Sequence, residues 1–435
     1  MIALVFDPLA DYNFIIEASV ILILSFFFGE ISKRTNIPSV LMLIVLGIII
    51  NYVLQYAGIT NMDLSEPLSI LGIVGLIMIV LEAALELELK REKAVPIIKA
   101  LGIALVGLLL STYAAAFILE YFIDGMESDS AWLGVSGTAW LYATPLSILS
   151  SAIIIPSVTG LKEDKKEFHV YESTFSDILG IMLFYFLSGE MDAAQHSSGF
   201  SGFLLNVVLT VVLSLVASYL IIIIFQRIQS HVKLFLLIAV LLLLYSLGKK
   251  MHLSSLIIIL IFGLLIANMK LFFAGPLKQF LDKKHAEEIY EGLHVVTMET
   301  AFVVRTFFFV IFGTTIVLSS LASINVALVS LLIIVSIYLI RFIILKLTIG
   351  GDIFPQLYIA PRGLITILLF YAIPKNLQVA GFNEGILLFI IIGTSVIMTF
   401  ALIYDKKRTN ASINKVKSKP VNYVKWKAPS IDDVK

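Results

Sequence analysis

Tyr171-Glu172-Ser173-Thr174-Phe175-Ser176-Asp177-Ile178-Leu179-Gly180 lies in an apolar run from Val170 to Leu187. At helical spacing Ser173, Ser176, Asp177 and Gly180 share one face. A stripe of oxygen atoms with a carboxylate at its centre is thus set in a segment fit for a bilayer. Oxygen ligands suit hard cations, and one carboxylate among neutral oxygens balances a single positive charge. An apolar setting disfavours the charged form of a carboxylate, so a proton competes with a cation for Asp177. The plainer alternative is that Asp177 only hydrogen-bonds a neighbouring helix.

The rest of the chain fits that setting. Of 435 residues, 59% are hydrophobic and 14% charged, against about 25% charged in a soluble globular chain. Thirteen apolar runs are read as spans: Phe14 to Ile31, Ile37 to Leu54, Leu68 to Leu87, Val95 to Leu119, Leu133 to Val158, Val170 to Leu187, Phe203 to Phe225, Leu234 to Leu247, Leu253 to Met269, Val295 to Leu318, Val326 to Leu347, Leu357 to Ile373 and Ile386 to Tyr404. The first follows Asp7, Asp11 and Glu17 rather than a basic leader, so it is expected to be a span and not a signal peptide.

Lys and Arg set the orientation. With the N-terminus outside, the segments around Lys33, Lys90 to Lys99, Lys162 to Lys166, Arg227 to Lys233, Lys270 to Lys284, Lys346 and the tail from Lys406 to Lys435 are cytoplasmic and hold most of the 31 basic residues. Only Lys249, Lys250 and Lys375 face outward. This satisfies the positive-inside rule and requires an odd number of spans. The expectation is a multi-pass protein of the cell (inner) membrane, with residues 1–405 as the transmembrane domain. The basic cytoplasmic tail, 406–435, is too poor in apolar residues to fold alone and is read as an anchor to anionic lipid.

Several chemistries drop out. With no cysteine there is no thiolate metal site. The formal charge of zero gives no bias toward nucleic acid. No HExxH, Walker loop or GxSxG occurs, the six histidines scatter among loops and span ends, and no cofactor is expected.

An ionisable group near mid-membrane costs at least about 2.5 kcal/mol on insertion scales, so each needs a partner or a task. Glu172 and Arg341, near the cytoplasmic ends of their spans, are expected to form an internal ion pair. Arg362, within Ala360-Pro361-Arg362-Gly363 of span twelve, is expected to counter the negative ends of half-helices. Glu82 and Arg305 remain open between pairing and snorkelling to the interface. Span five carries Thr144-Pro145, Ser147, Ser150, Ser151 and Pro156, and proline in a helix interior breaks its ladder. If span seven separates two six-span halves, span five matches span twelve and the halves are inverted. Interrupted spans at matching places point to a transport site at the repeat interface.

These residues also resemble a known family. Glu172 to Asp177 is similar to the E-S-x-x-N-D motif of the monovalent cation/proton antiporters, in the sodium/proton exchanger branch of bacterial Na⁺/H⁺ antiporter type. Ala360 to Gly363 resembles that family's G-x-R-G, Asn36 to Gly47 its I-P-x-x-x-G, Leu85 to Leu89 its G-L-E-x-D and Phe307 to Gly313 its F-F-x-x-x-G. The matches run in family order from residue 36 to 363. There are two departures: Thr144-Pro145 lacks the Asp usual between them, and Ser176 stands where Asn precedes the essential Asp.

The resemblance implies an all-α sodium/proton antiporter fold, with thirteen transmembrane helices, two inverted six-helix repeats and two crossed discontinuous helices. A core around 132–190 and 295–376 would move against a scaffold of the remaining spans. It implies exchange of Na⁺ or Li⁺ for H⁺ at Asp177, electroneutral at one for one, in a homodimer working as an elevator. Asp177 would hold the monovalent cation with Ser173, Ser176, Thr144, Ser150 and Ser151. The alternatives are K⁺/H⁺ exchange and, from other classes, a cation channel or an intramembrane carboxylate enzyme. The last would need a second carboxylate facing Asp177, where span twelve supplies Arg362.

Overall fold

A computed structural model describes residues 13–35, 37–56, 65–87, 89, 91–127, 131–158, 160–191, 199–228, 233–251, 255–273, 282–315 and 323–417. Helices α1 (Asn13–Thr35), α2 (Ser39–Tyr56), α3 (Ser65–Glu86) and α4 (Ala94–Phe122) precede a small antiparallel ladder of β1 (Ala131–Trp132) and β2 (Val135–Ser136). There follow α5 (Gly137–Ser147), α6 (Ser151–Ser157), α7 (Glu163–Met191), α8 (Gly199–Phe225), α9 (Lys233–Lys250), α10 (Ser255–Ala267) and α11 (Met269–Phe272). The chain continues through α12 (Lys283–Thr315), α13 (Ile324–Thr348), α14 (Leu364–Tyr371) and α15 (Gly385–Lys417). Among the described residues, nine helical stretches are long and apolar enough to cross a membrane, by length and composition.

Each predicted apolar run carries helix, but several boundaries differ, among them an α7 that starts at Glu163 rather than Val170 and an α14 that starts at Leu364 rather than Leu357. Helix α5 starts at Gly137, not Leu133, because Leu133 (φ 53°) and Gly134 (φ 79°) make the positive-φ turn that closes the β1–β2 hairpin. Helix α12 begins well before Val295: the Asp282 carboxylate accepts the amides of Lys284 at 3.2 Å and His285 at 3.5 Å, capping a polar first turn that hydropathy does not register. Helix α15 runs past Tyr404 to Lys417, since adding a turn to a formed helix is far easier than nucleating one. The first part of the basic tail is therefore helical, and residues 418–435 lie outside the described residues.

Burial runs from the outside in. Apolar side chains on α1 (Phe26, Phe27), α8 (Val212, Val216) and α13 (Leu331, Val335, Leu339) are exposed, a surface suited to lipid rather than water. At the centre every residue of α5 is buried, as are Leu364 to Leu369 of α14. Helix α4 packs on α5, α7 and α13, while α12 packs on α2 and α3. The α2–α12 contact needs bare backbone on both sides, since a Cβ on Gly47 would lie 2.8 Å from Gly313 Cα.

Candidate functional site

Two interrupted segments meet at the centre. Between α5 and α6 the chain is extended from Ile148 to Ser150, and it is non-helical again from Ile359 to Gly363 before α14. The segments touch through their backbones, with the Ser150 amide donating to the Pro361 carbonyl at 3.0 Å. Gly363 admits this approach: a Cβ there would stand 2.5 Å from Ser150 Oγ and 2.7 Å from Ile153 Cδ1. The first break falls after Pro145, which lies inside α5.

Arg362 ties the two breaks together. Its Nε donates to the Leu146 carbonyl at 2.9 Å and its Nη2 to that of Ser147 at 3.1 Å, while Nη1 reaches the Ala360 carbonyl at 2.7 Å. The last carbonyls of a helix have no partner within it and carry the negative end of its dipole; here a 2% exposed guanidinium supplies both donors and charge. The Arg362 amide is anchored on Thr394 Oγ1 of α15 at 3.1 Å.

Asp177 of α7 faces the first break. Its Oδ2 accepts the Ser151 amide, the first of α6, at 3.3 Å. Oδ1 has no hydrogen-bond partner among the described residues, and neither has the buried Ser150 Oγ. One residue earlier, Ser176 Oγ accepts the Leu149 amide at 3.0 Å, pinning the extended segment to α7. Ile79, Val80, Met182, Leu256 and Ile365 enclose Asp177 on its other side in an apolar cavity.

The remaining predicted oxygens are placed differently. Thr144 donates its hydroxyl to the Trp140 carbonyl at 2.8 Å and Ser173 to that of His169 at 2.7 Å. Among the described residues no hydrogen bond links either to Asp177. The structure therefore brings Asp177, Ser150, Ser151 and Ser176 together at the break and turns the Thr144 and Ser173 protons back into their own helices.

Below the crossing, Arg341 of α13 meets Glu172 of α7 in a two-pronged contact, Nη1 to Oε1 at 2.6 Å and Nη2 to Oε2 at 2.8 Å. Its Nε donates to the Gln356 carbonyl at 3.1 Å. Both side chains line a cavity that also touches Ser147, Ser176 and Arg362. Arg305 of α12 reaches both oxygens of Glu82 at 3.4 Å and the Ala152 carbonyl of α6 at 3.3 Å, so the contact left open by sequence exists.

Sequence reasoning missed several members. His169, read as one of the scattered histidines, is wholly buried with Nδ1 3.4 Å from Glu172. Thr394, the Gln356 carbonyl and Thr366, whose buried hydroxyl has no partner among the described residues, carry no motif. A lone hydroxyl in an apolar helix gives no pattern, and the only available hint was nearness to Arg362.

Known proteins match this architecture. Two solved structures of the sodium proton antiporter MjNhaP1 from Methanocaldococcus jannaschii are similar to it. The one at pH 8 has a TM-score of 0.64 at 22% identity, over 89% of this chain and 94% of that one. An electron-microscopy map has 0.65 at 20% identity, over 95% and 99%. At such identity the likeness speaks for the fold. No curated protein sequence matches the chain. The family described as sodium/hydrogen exchanger, transmembrane, matches residues 20–404. A match over that length, on a helical framework of apolar spans, means that the chain belongs to the sodium/hydrogen exchanger family and is a multi-pass membrane transporter rather than an enzyme.

Proposed function

We propose that this chain exchanges a monovalent cation, Na⁺ or Li⁺, for H⁺, one for one, by competition at Asp177. The observation that carries the reading is the Asp177 carboxylate: 3% exposed, set against a helix break, with one oxygen bonded by Ser151 and the other unpartnered. A buried carboxylate without a counter-ion is costly unless a proton or a cation neutralises it, and the two ligands exclude each other. Ser150, Ser151 and Ser176 are the neighbouring oxygens, with Thr144 and Ser173 contributing lone pairs at most. Glu172–Arg341 holds the site, and Arg362 keeps the breaks open.

In this reading thirteen spans form two inverted repeats, with the N-terminus outside and the C-terminus in the cytoplasm. A core around 132–190 and 295–376 shifts against the remaining spans of a homodimer, and the basic tail, 406–435, rests on the lipid surface. The family match and the crossing of the two breaks support it.

The test is proton release from proteoliposomes carrying a preformed pH gradient and a pH-sensitive dye. Na⁺ or Li⁺ should collapse the gradient in the wild type, and Asp177→Asn, eluting as folded protein on size exclusion, should not respond. Wild-type exchange by Asp177→Asn would sink the site, and collapse by K⁺ alone would replace Na⁺ as the substrate. Rates that follow an imposed membrane potential would refute the one-for-one stoichiometry.

A further inference from the structure

The cation proposed at Asp177 needs several oxygens around it, and α14 offers one that no motif marks. Thr366 is 1% exposed and its hydroxyl has no partner among the described residues. Two more oxygens share that condition at the crossing, Asp177 Oδ1 and Ser150 Oγ. Buried polar atoms are nearly always paired, so three unpaired oxygens on three converging segments call for a common partner that accepts lone pairs.

Helical register directs Thr366 toward the other two. Successive residues turn by about 100°. Ile365 faces the cavity it shares with Asp177. Gly363 at the head of the helix abuts Ser150, and Phe370 meets Tyr142 of α5 with ring centroids 5.9 Å apart. The azimuth of Thr366 falls between the direction of Ile365 and that of Gly363 and Phe370. Its side chain thereby leaves α14 between those two directions, and α14 packs on both α5, which leads into Ser150, and α7, which carries Asp177.

We infer that Thr366 supplies a ligand oxygen to the transported cation and, with Asp177 and Ser150, closes a cage that a proton does not use. The inference rests on the reading of Asp177 as the exchange site. The two ligands make different demands: a proton is satisfied by one carboxylate oxygen, whereas a hard monovalent cation needs several oxygens around it. Loss of the Thr366 hydroxyl therefore weakens the cation side of the competition and leaves the proton side alone.

The experiment compares Thr366→Val, which keeps shape without the hydroxyl, with Thr366→Ser, which keeps the hydroxyl. In proteoliposomes, Thr366→Val should raise the apparent KM for Na⁺ and Li⁺ about tenfold, the loss of one good polar contact, and Thr366→Ser should stay within about twofold. A second readout needs no turnover. Na⁺, against choline, should raise the melting temperature of the purified wild type by ligand linkage, and the half-saturating Na⁺ concentration should shift upward in Thr366→Val alone. Thr366→Ala replaces Thr366→Val if the latter does not fold. A wild-type KM in the hydroxyl-free variant overturns the inference, as does an equal rise in Thr366→Ser. Asp177→Asn run in parallel separates the two levels. If it is inactive while Thr366→Val is normal, only the role of Thr366 fails; if it exchanges, the site itself fails.

Discussion

Replacing Glu172 with Gln leaves the Arg341 guanidinium buried with its Gln356 carbonyl contact and no counter-ion, since both terminal nitrogens spend their bonds on Glu172 at 2.6 and 2.8 Å. The carboxylate is 1% exposed and the arginine 9%, so the discount for surface pairs does not apply. Breaking such a pair from one side costs about 3–5 kcal/mol. Arg341→Gln strands Glu172 instead, leaving it only His169, 3.4 Å away, at a similar cost. The double substitution puts two neutral amides in the same space and removes the lone charge that made each single change expensive. It should fall short of the sum by about 2–3 kcal/mol. An unfolding entropy of about 2.1 cal/mol/K per residue gives about 0.9 kcal/mol/K for a chain of this length. Each single change then lowers Tm by about 3–5 °C and the double by about 5 °C rather than about 8 °C. Helices that persist in the denatured detergent state reduce the entropy and enlarge every shift in proportion. Thermal unfolding of the four purified proteins, followed by intrinsic fluorescence, measures the cycle. Strict additivity of the shifts would refute the argument that the two charges stabilise each other.

Three further outcomes follow from the crossing and its surroundings. Arg362→Lys replaces a fork that serves three carbonyls with a single nitrogen that cannot span them; stability should drop by about 2 kcal/mol or more and exchange should slow, both measured on one preparation. Gly363→Ala pushes a methyl against Ser150 and Ile153 and should cost about 1–3 kcal/mol. Gly102→Ala, in open space on α4, should be neutral or stabilise by up to about 1 kcal/mol, and equal melting curves for the two would contradict the close approach. Outside the spans, the Phe354 amide and then Arg408 hold the Asp352 carboxylate below the usual aspartate range. A lowered folded-state value means its contribution is present above about pH 4 and is lost as pH falls through the folded value. The Tm gap between wild type and Asp352→Asn should be constant from pH 5 to 8 and close below about pH 4. Because Asp352 is mostly exposed, the gap should stay under about 1 kcal/mol and shrink with salt, and a gap that widens in acid would reverse the assignment.

The spans were legible because a 20-residue apolar run is the one signal a bilayer imposes on sequence. Where hydropathy is silent the reading slipped, as at the polar first turns of α12 and at the hairpin before α5. The charges told more than their positions: Glu172 and Arg341 are far apart in the chain, yet the cost of burying either alone was reason enough to seek a partner. Glu82 lies about a turn from the end of α3, so snorkelling was as good a solution for it as pairing with Arg305, and only packing decides between them. The break in span five was credited to its prolines. Pro145 in fact sits inside α5, and the unwinding comes after it, where Arg362 and the Pro361 carbonyl, more than two hundred positions downstream, satisfy the freed backbone groups. A partner that distant is invisible to local reasoning. The same holds for Thr366, which reads as one more residue in an apolar run until its hydroxyl is seen to lack a bond.

The guanidinium that occupies the carbonyls of Leu146 and Ser147 has a consequence for a carrier between loads. An unwound stretch at membrane depth must have its backbone dipoles answered, and a protein that relied on its cargo for this would come undone each time the cargo left. Here the answer is covalently part of the chain and does not titrate near neutral pH. One ion can depart before the next arrives without the gap closing or the helices re-forming across it. Turnover is thereby freed from any refolding step, and the architecture stands ready with nothing aboard.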